Sequence, residues 1–134
     1  MANYAYVDAE LTESIPGGAP SGNKINAIPK HSGRLWVDYS FPEDSKLAGF
    51  SAGAGVHAAS GAPLALDNVY ETESYITADA AIRYKKDGFS ANLAVKNLTD
   101  EQYYQPYAYL VGGVAAAPGR SFYRKREFLR TFCN

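Results

Sequence analysis

Cysteine is almost missing from this chain. Cys133 stands alone, so no internal disulfide framework holds the fold. An excess of one charge is missing as well. Thirteen Lys and Arg stand against 14 Asp and Glu, a formal net charge of −1, which leaves nucleic acid no basic footprint to bind. No apolar run approaches the roughly 18 residues that a membrane-spanning helix needs. No basic segment followed by an apolar core opens the chain, because Met1 leads straight into Ala2-Asn3-Tyr4-Ala5-Tyr6-Val7. Without a signal peptide, two readings follow: a cytoplasmic protein, or a larger exported protein whose N-terminal part lies outside this chain.

The marks of an enzyme are equally scarce. His31 and His57 have no metal-ligand spacing to each other or to Cys133, and neither H-x-x-x-H nor C-x-x-C occurs. No metal site and no covalently bound cofactor are expected. Asp8, Asp38 and Asp79 are candidate acid–base carboxylates, yet each alternates onto the polar side of a strand, where lining a wall is the simpler role. Gly53-Ala54-Gly55-Val56-His57-Ala58 fits G-x-G-x-x-A, but that phosphate motif requires a helix to follow. Ser60-Gly61-Ala62-Pro63 follows instead. Asn97-Leu98-Thr99 fits a glycosylation sequon by chance. The chain is not expected to be an enzyme.

What is present is Tyr (11 residues), Gly (12 residues) and short runs of strict alternation. Ala5, Val7, Ala9 and Leu11 alternate with Tyr4, Tyr6, Asp8 and Glu10. Leu35, Val37, Tyr39 and Phe41 alternate with Arg34, Trp36, Asp38 and Ser40. Phe50, Ala52, Ala54 and Val56 follow, then Ile76, Ala78, Ala80, Ile82 and Tyr84 against Thr77, Asp79 and Arg83. Phe89, Ala91, Leu93 and Val95 alternate with Ser90, Asn92 and Lys96. A period of two is a strand with one apolar and one polar face. The pattern predicts an all-β chain, an antiparallel meander of about six strands.

Its connections come in two lengths. Pro42-Glu43-Asp44-Ser45 and Lys85-Lys86-Asp87-Gly88 are short turns, the second with a strong Asp-Gly hairpin signal. Residues 12–33, 60–73 and 105–119 are long loops. Short turns at one end and long loops at the other, joined by strands with one apolar face, are the layout of a transmembrane β-barrel. The last segment breaks the pattern. Arg124-Lys125-Arg126-Glu127 is a run of four charges, and Arg124 and Arg126 share the face of Phe122. On a lipid-facing surface each Arg costs about 2–4 kcal/mol near mid-bilayer and less near the interface.

Five segments in order carry a family resemblance. Ile28-Pro29-Lys30-His31 with Leu35-Trp36-Val37-Asp38-Tyr39, Gly53-Ala54-Gly55-Val56, and YITADAAIRY at 75–84 resemble successive strands of TonB-dependent outer-membrane siderophore receptors, the ferrichrome and hydroxamate type in particular. NLTDEQYY at 97–104 and Pro118-Gly119-Arg120-Ser121-Phe122-Tyr123 resemble that family's final strand pair. The resemblance covers nearly the whole chain. It implies that residues 1–134 are the C-terminal portion of a barrel of about 22 strands, located in the outer membrane among its lipids, with the plug domain and the TonB-contacting segment outside this chain. It implies ferric siderophore as transported ligand and the TonB system as partner. Thr99 stands where the family often has Phe. Phe132 is followed by Cys133 and Asn134 where the family ends on an aromatic residue, which with the charge run suggests a shifted reading frame or a degenerate end.

Two groups of Tyr follow from this picture. Tyr39 and Tyr84, near strand ends on apolar faces, fit an aromatic girdle. Tyr104, Tyr107 and Tyr109, in or beside a long loop, are the candidate ligand-binding residues, able to stack on a ferric siderophore or on one another. The alternative to a receptor segment is a soluble β-sheet binding module with Tyr-rich loops.

Overall fold

The computed structural model describes residues 1–107 and 113–128. Eight strands form among them: β1 (Ala2–Tyr6), β2 (His31–Ser40), β3 (Phe50–Ala59), β4 (Tyr75–Lys86), β5 (Phe89–Lys96), β6 (Tyr104–Pro106), β7 (Val114–Ala116) and β8 (Ser121–Phe128). Six make one sheet in the order β1-β2-β3-β4-β5-β8, with every pair antiparallel. β6 and β7 pair separately as a small hairpin inside the last long loop. The six-stranded meander is the one that the alternation predicts.

Register sorts the side chains into two faces. Tyr39, Ala52, Ile82, Leu93 and Arg124 lie in one cross-strand row, and Val37, Ala54, Ala80, Val95 and Phe122 lie in the next row on that face. Asp38, Gly53, Ala81, Ala94 and Tyr123 share a row on the opposite face. The exposure is inverted relative to a soluble sheet. Val37 is 62% exposed, Ile82 55% and Phe122 70%, while Thr77 and Ala81 on the other face are buried. The buried hydrophobic residues among those described are all alanines: Ala19, Ala59, Ala62 and Ala81. A water-soluble fold needs its large aliphatic side chains inside; this sheet presents them outward.

The outward face is bounded at the short-turn end by aromatic rings. Tyr39 meets Phe41 edge-on at 5.2 Å, and Phe50, Tyr84, Phe89 and Phe128 follow one another at 4.6, 6.2 and 4.9 Å. Tyr39 and Tyr84 thus sit where the girdle reading puts them, within a longer band of rings. At the other end Tyr4 and Tyr6 flank His31 at 6.2 and 5.1 Å. Aliphatic residues fill the space between the two aromatic ends, the arrangement that a bilayer imposes on a barrel wall.

On the inner face Trp36 lies flat over β3. A Cβ at Gly53 would stand 2.6 Å from Trp36 Cζ2, and one at Gly55 would stand 2.6 Å from Trp36 Cε3. The missing side chains of β3 make the room for the indole. Trp36 Nε1 donates to Asp38 Oδ2 at 3.2 Å, and Arg83 donates to the same oxygen at 2.7 Å.

Several boundaries differ from the sequence reading. β1 stops at Tyr6, and its Tyr4 pairs with Gly33, so Tyr4 and Tyr6 share the face of Leu35. Beyond Tyr6 the regular ladder gives way to scattered bonds, Val7 N to Lys30 O, Ile25 N to Ala9 O and Leu11 N to Asn23 O, with Asp8 binding Lys30 at 2.9 Å. β2 starts at His31, three residues before the first alternating pair. The connection after β2 runs over 41–49, with one turn closing on Pro42 O and a second on Ser45 O. Asp87 and Gly88 both have positive φ, 50° and 76°, the two-residue turn that matches the twist of a hairpin. β8 continues through the charge run to Phe128, with Arg124 and Arg126 on the face of Phe122 as expected. Phe132, Cys133 and Asn134 lie outside the described residues.

Gly53→Val places methyl groups where Trp36 and Asp38 Oδ2 already are. Its expected effect is a loss of about 1–3 kcal/mol, the usual range for overpacking, with a shift in emission from Trp36, the chain's one Trp. Thermal unfolding of the chain in detergent micelles measures both. Ala54→Val, on the outward face, should leave both nearly unchanged.

Candidate functional site

The three long connections, 7–30, 60–74 and 97–120, lie at one end of the sheet, and specific bonds join the first two. Asn68 acts as a strand partner for the backbone of Lys24: its Oδ1 accepts from Lys24 N at 2.6 Å and its Nδ2 donates to Lys24 O at 2.9 Å. Asn23 Nδ2 donates to Leu66 O at 2.7 Å, and Ala27 N donates to Pro63 O at 2.9 Å. The Lys24–Glu71 ion pair at 3.3 Å is exposed and adds little.

The third connection is held by the NLTD segment. Asn97 has φ 51° and is 5% exposed. Asn tolerates that left-handed backbone better than most residues. Its Nδ2 donates to Glu101 O at 2.9 Å and to Pro118 O at 3.3 Å, and its Oδ1 accepts from Glu101 N at 2.9 Å. One side chain therefore ties both legs of the loop. Asp79 Oδ1 accepts from Asn97 N, and Asp100 Oδ1 accepts from Arg120 N just before β8 begins. The amide nitrogen of Asn97 is committed to these two carbonyls.

Above this clamp runs a ladder of rings. His57 meets Tyr75 edge-on at 5.5 Å, and Tyr75 stacks on Tyr103 at 3.9 Å with planes 20° apart. Gln105 Nε2 donates to the Tyr75 hydroxyl at 3.4 Å. Burial, then the neighbouring Tyr75, pushes the Tyr103 phenol above its ordinary range, so it stays neutral. A cleft of about 360 Å³ opens beside the stack, between Glu71 and Glu73 of the second loop and Glu101, Tyr103, Tyr104 and Val114 of the third. It offers ring faces and carboxylate acceptors.

Of the three candidate tyrosines, Tyr104 begins β6 and lines this cleft, 58% exposed. Tyr107 follows β6, where its backbone N donates to Gly113 O at 2.8 Å. Tyr109 lies outside the described residues. Tyr75 and Tyr103 were not singled out from the sequence. Tyr75 carries a signal in its parity with Thr77 and Asp79; Tyr103 carries none beyond its place beside Tyr104. Gly53 to Ala58 sits wholly within β3 under Trp36, so the phosphate-loop pattern has no helix to serve. Among the described residues no three His, Cys, Asp or Glu side chains converge as metal ligands.

The family described as TonB dependent receptor-like, beta-barrel matches residues 1–98. The chain belongs to the TonB-dependent receptor β-barrel family. Similar curated proteins are the ferrichrome outer membrane transporter/phage receptor of Escherichia coli, 32% identical over 108 residues, and the metal-pseudopaline receptor CntO of Pseudomonas aeruginosa, 36% identical over 104. These alignments cover 77% and 76% of the chain but 14% of either relative, so the chain spans about a seventh of their length. The crystal structure of the siderophore receptor PiuA from Acinetobacter baumannii superposes with a TM-score of 0.76 at 28% identity, covering 95% of this chain and 19% of that one. BauA, the ferric preacinetobactin receptor of the same organism, shares the fold at a TM-score of 0.75 and 20% identity. The soluble binding module is not favoured, since the family's barrels account for the outward aliphatic face.

Two outcomes follow from these contacts. Asn97→Ala should raise amide exchange at Glu101 by roughly ten- to a hundredfold, the loss of about 1–3 kcal/mol for unmade buried hydrogen bonds, while β2 and β3 keep their protection. Asp8 is held below its ordinary 3.8 by hydrogen bonds from Lys30 and Tyr6, and Lys30 is held above 10.5 by its bond to Asp8. The Asp8 contribution is present above the unfolded carboxylate pKa and is lost as pH falls through the lowered value. The Lys30 contribution is present below the unfolded ammonium pKa and is lost as pH rises through the raised one. Lys30 Nζ lies 5.5 Å from the Tyr6 ring; followed by NMR in micelles, this contact should hold from the unfolded carboxylate pKa up to the unfolded ammonium pKa and loosen only beyond them, as pH falls through the lowered Asp8 value or rises through the raised Lys30 value. Asp8→Asn should remove the acid limb.

Proposed function

We propose that residues 1–134 form the C-terminal portion of an outer-membrane receptor barrel for TonB-dependent uptake of ferric siderophores. The observation that carries this reading is the inverted sheet: an outward aliphatic band between aromatic ends, backed by a polar inner wall. That wall suits a barrel of about 22 strands whose lumen is occupied by a plug. The resemblance of 97–104 and 118–123 to a final strand pair supports the C-terminal placement. With the long loops facing outward and the short turns facing the periplasm, the cleft beside Tyr103 and Tyr104 opens to the outside.

Uptake requires no covalent step from this segment. The loops take the chelate, with Tyr103, Tyr104, Tyr107 and Tyr109 supplying ring faces, and the TonB system acts through a plug domain outside this chain. The names of similar proteins, transporters or receptors for ferrichrome, ferrioxamine B and pyoverdine, support a ferric siderophore as ligand. They also support the outer membrane as location and a receptor, not an enzyme, as the parent.

Six strands are too few to enclose a channel, since the smallest such barrels have about eight. Purified chain should sediment as large aggregates in plain buffer and as a small species in detergent. Cells expressing it alone should gain no siderophore-dependent iron uptake. Restored uptake in a receptor-deleted strain would overturn the expectation that this segment does not transport alone, and a single small species in plain buffer would favour a soluble module.

A further inference from the structure

We propose that the outward face carries, at its short-turn rim, a docking site for the phosphate of an anionic phospholipid headgroup, formed by Lys86, Arg124 and Arg126. The proposal rests on the membrane reading above and adds a lipid class to it. Lys86 stands opposite Phe89, Arg126 opposite Ala91 and Arg124 opposite Leu93, so all three belong to the aliphatic face. All three are exposed, and none is in an ion pair among the described residues.

No Asp or Glu occupies this face of β4, β5 or β8. The one carboxylate of β8, Glu127, falls on the inner face and pairs with Lys125 at 2.6 Å. Three cations therefore stand on a surface that otherwise suits hydrocarbon, with no counter-charge on this face of the three strands. They are not scattered along it. Phe89 and Phe128 form the row of Lys86, and Tyr84 and Ala91 form the row of Arg126, which places the cations in and just beside the aromatic band. Such bands lie at headgroup depth, where long basic side chains reach polar atoms while their stems cover apolar surface. Ala91 is the small residue between Tyr84 and Arg126 in that row. A phosphate there meets a guanidinium in the bidentate geometry that Arg favours, with Lys86 as a second charge. A second copy of this chain is a poor occupant, because like patches repel.

The test uses the full chain refolded in zwitterionic micelles. Phosphatidylglycerol or phosphatidylcholine of equal chain length is added, and retained lipids are counted by native mass spectrometry, with circular dichroism to confirm the fold. Phosphatidylglycerol should be retained more tightly, on the order of tenfold. K86Q/R124Q/R126Q should bring the two lipids to parity while still folding, since charge removed from a lipid-facing surface relieves the wall. K96Q/K125Q, on the inner face, should keep the preference. Equal retention by the unaltered chain overturns the proposal, as does a triple variant that keeps the preference or an inner-face variant that loses it equally. A chain that is a small species in plain buffer fails the membrane reading itself; a micelle-bound, folded chain without preference fails this proposal alone.

Discussion

Asp38 of β2 and Arg83 of β4 meet at 2.7 Å across the intervening β3. They reach each other because Gly53, opposite Asp38, has no side chain; a Cβ there would stand 2.8 Å from the carboxylate oxygen. The pair is partly exposed and adds little by itself. Its importance is positional. A slip of one residue in any strand pair exchanges the two faces. A contact spanning three strands, roofed by Trp36, holds β2, β3 and β4 in the single register that keeps aliphatic residues on one side.

That register decides what surrounds the sheet. With Val37, Ile82, Leu93 and Phe122 outward and little but alanine buried, the hydrophobic effect does not favour this wall in water. It favours the wall in hydrocarbon, where every strand still satisfies its neighbour's backbone. The rings at both ends then mark the depth at which hydrocarbon gives way to headgroups. Arg124 and Arg126 are the exceptions on the outward face, and their position near one rim limits the cost.

Most of this was legible in the chain itself because it is local. Alternation fixed the faces of β2 to β5, and Asp87-Gly88 marked its hairpin by backbone preference alone. The girdle was legible only at Tyr39 and Tyr84, since Phe50, Phe89 and Phe128 join it through pairing between strands. β1 misled because Ala5, Val7, Ala9 and Leu11 imitate a strand face, while the actual pairing with His31 to Leu35 puts Tyr4 and Tyr6 outward. The site was the least legible part. Asn97 reaching Pro118, and Tyr75 stacking on Tyr103, depend on where a loop returns, which no spacing encodes. The NLTD resemblance marked the segment as a family signature without revealing that Asn97 and Asp100 act as a clasp.

That clasp has a mechanical consequence. The last loop is fixed twice, at its base by Asn97 holding Glu101 and Pro118, and on the inner wall by Tyr103 lying against Tyr75. Between these two fixtures the chain is a short rigid arm. A load on the described part of this loop therefore passes through Asn97 into Asp79 and through Tyr103 into Tyr75, both residues of β4, before it reaches the rest of the sheet.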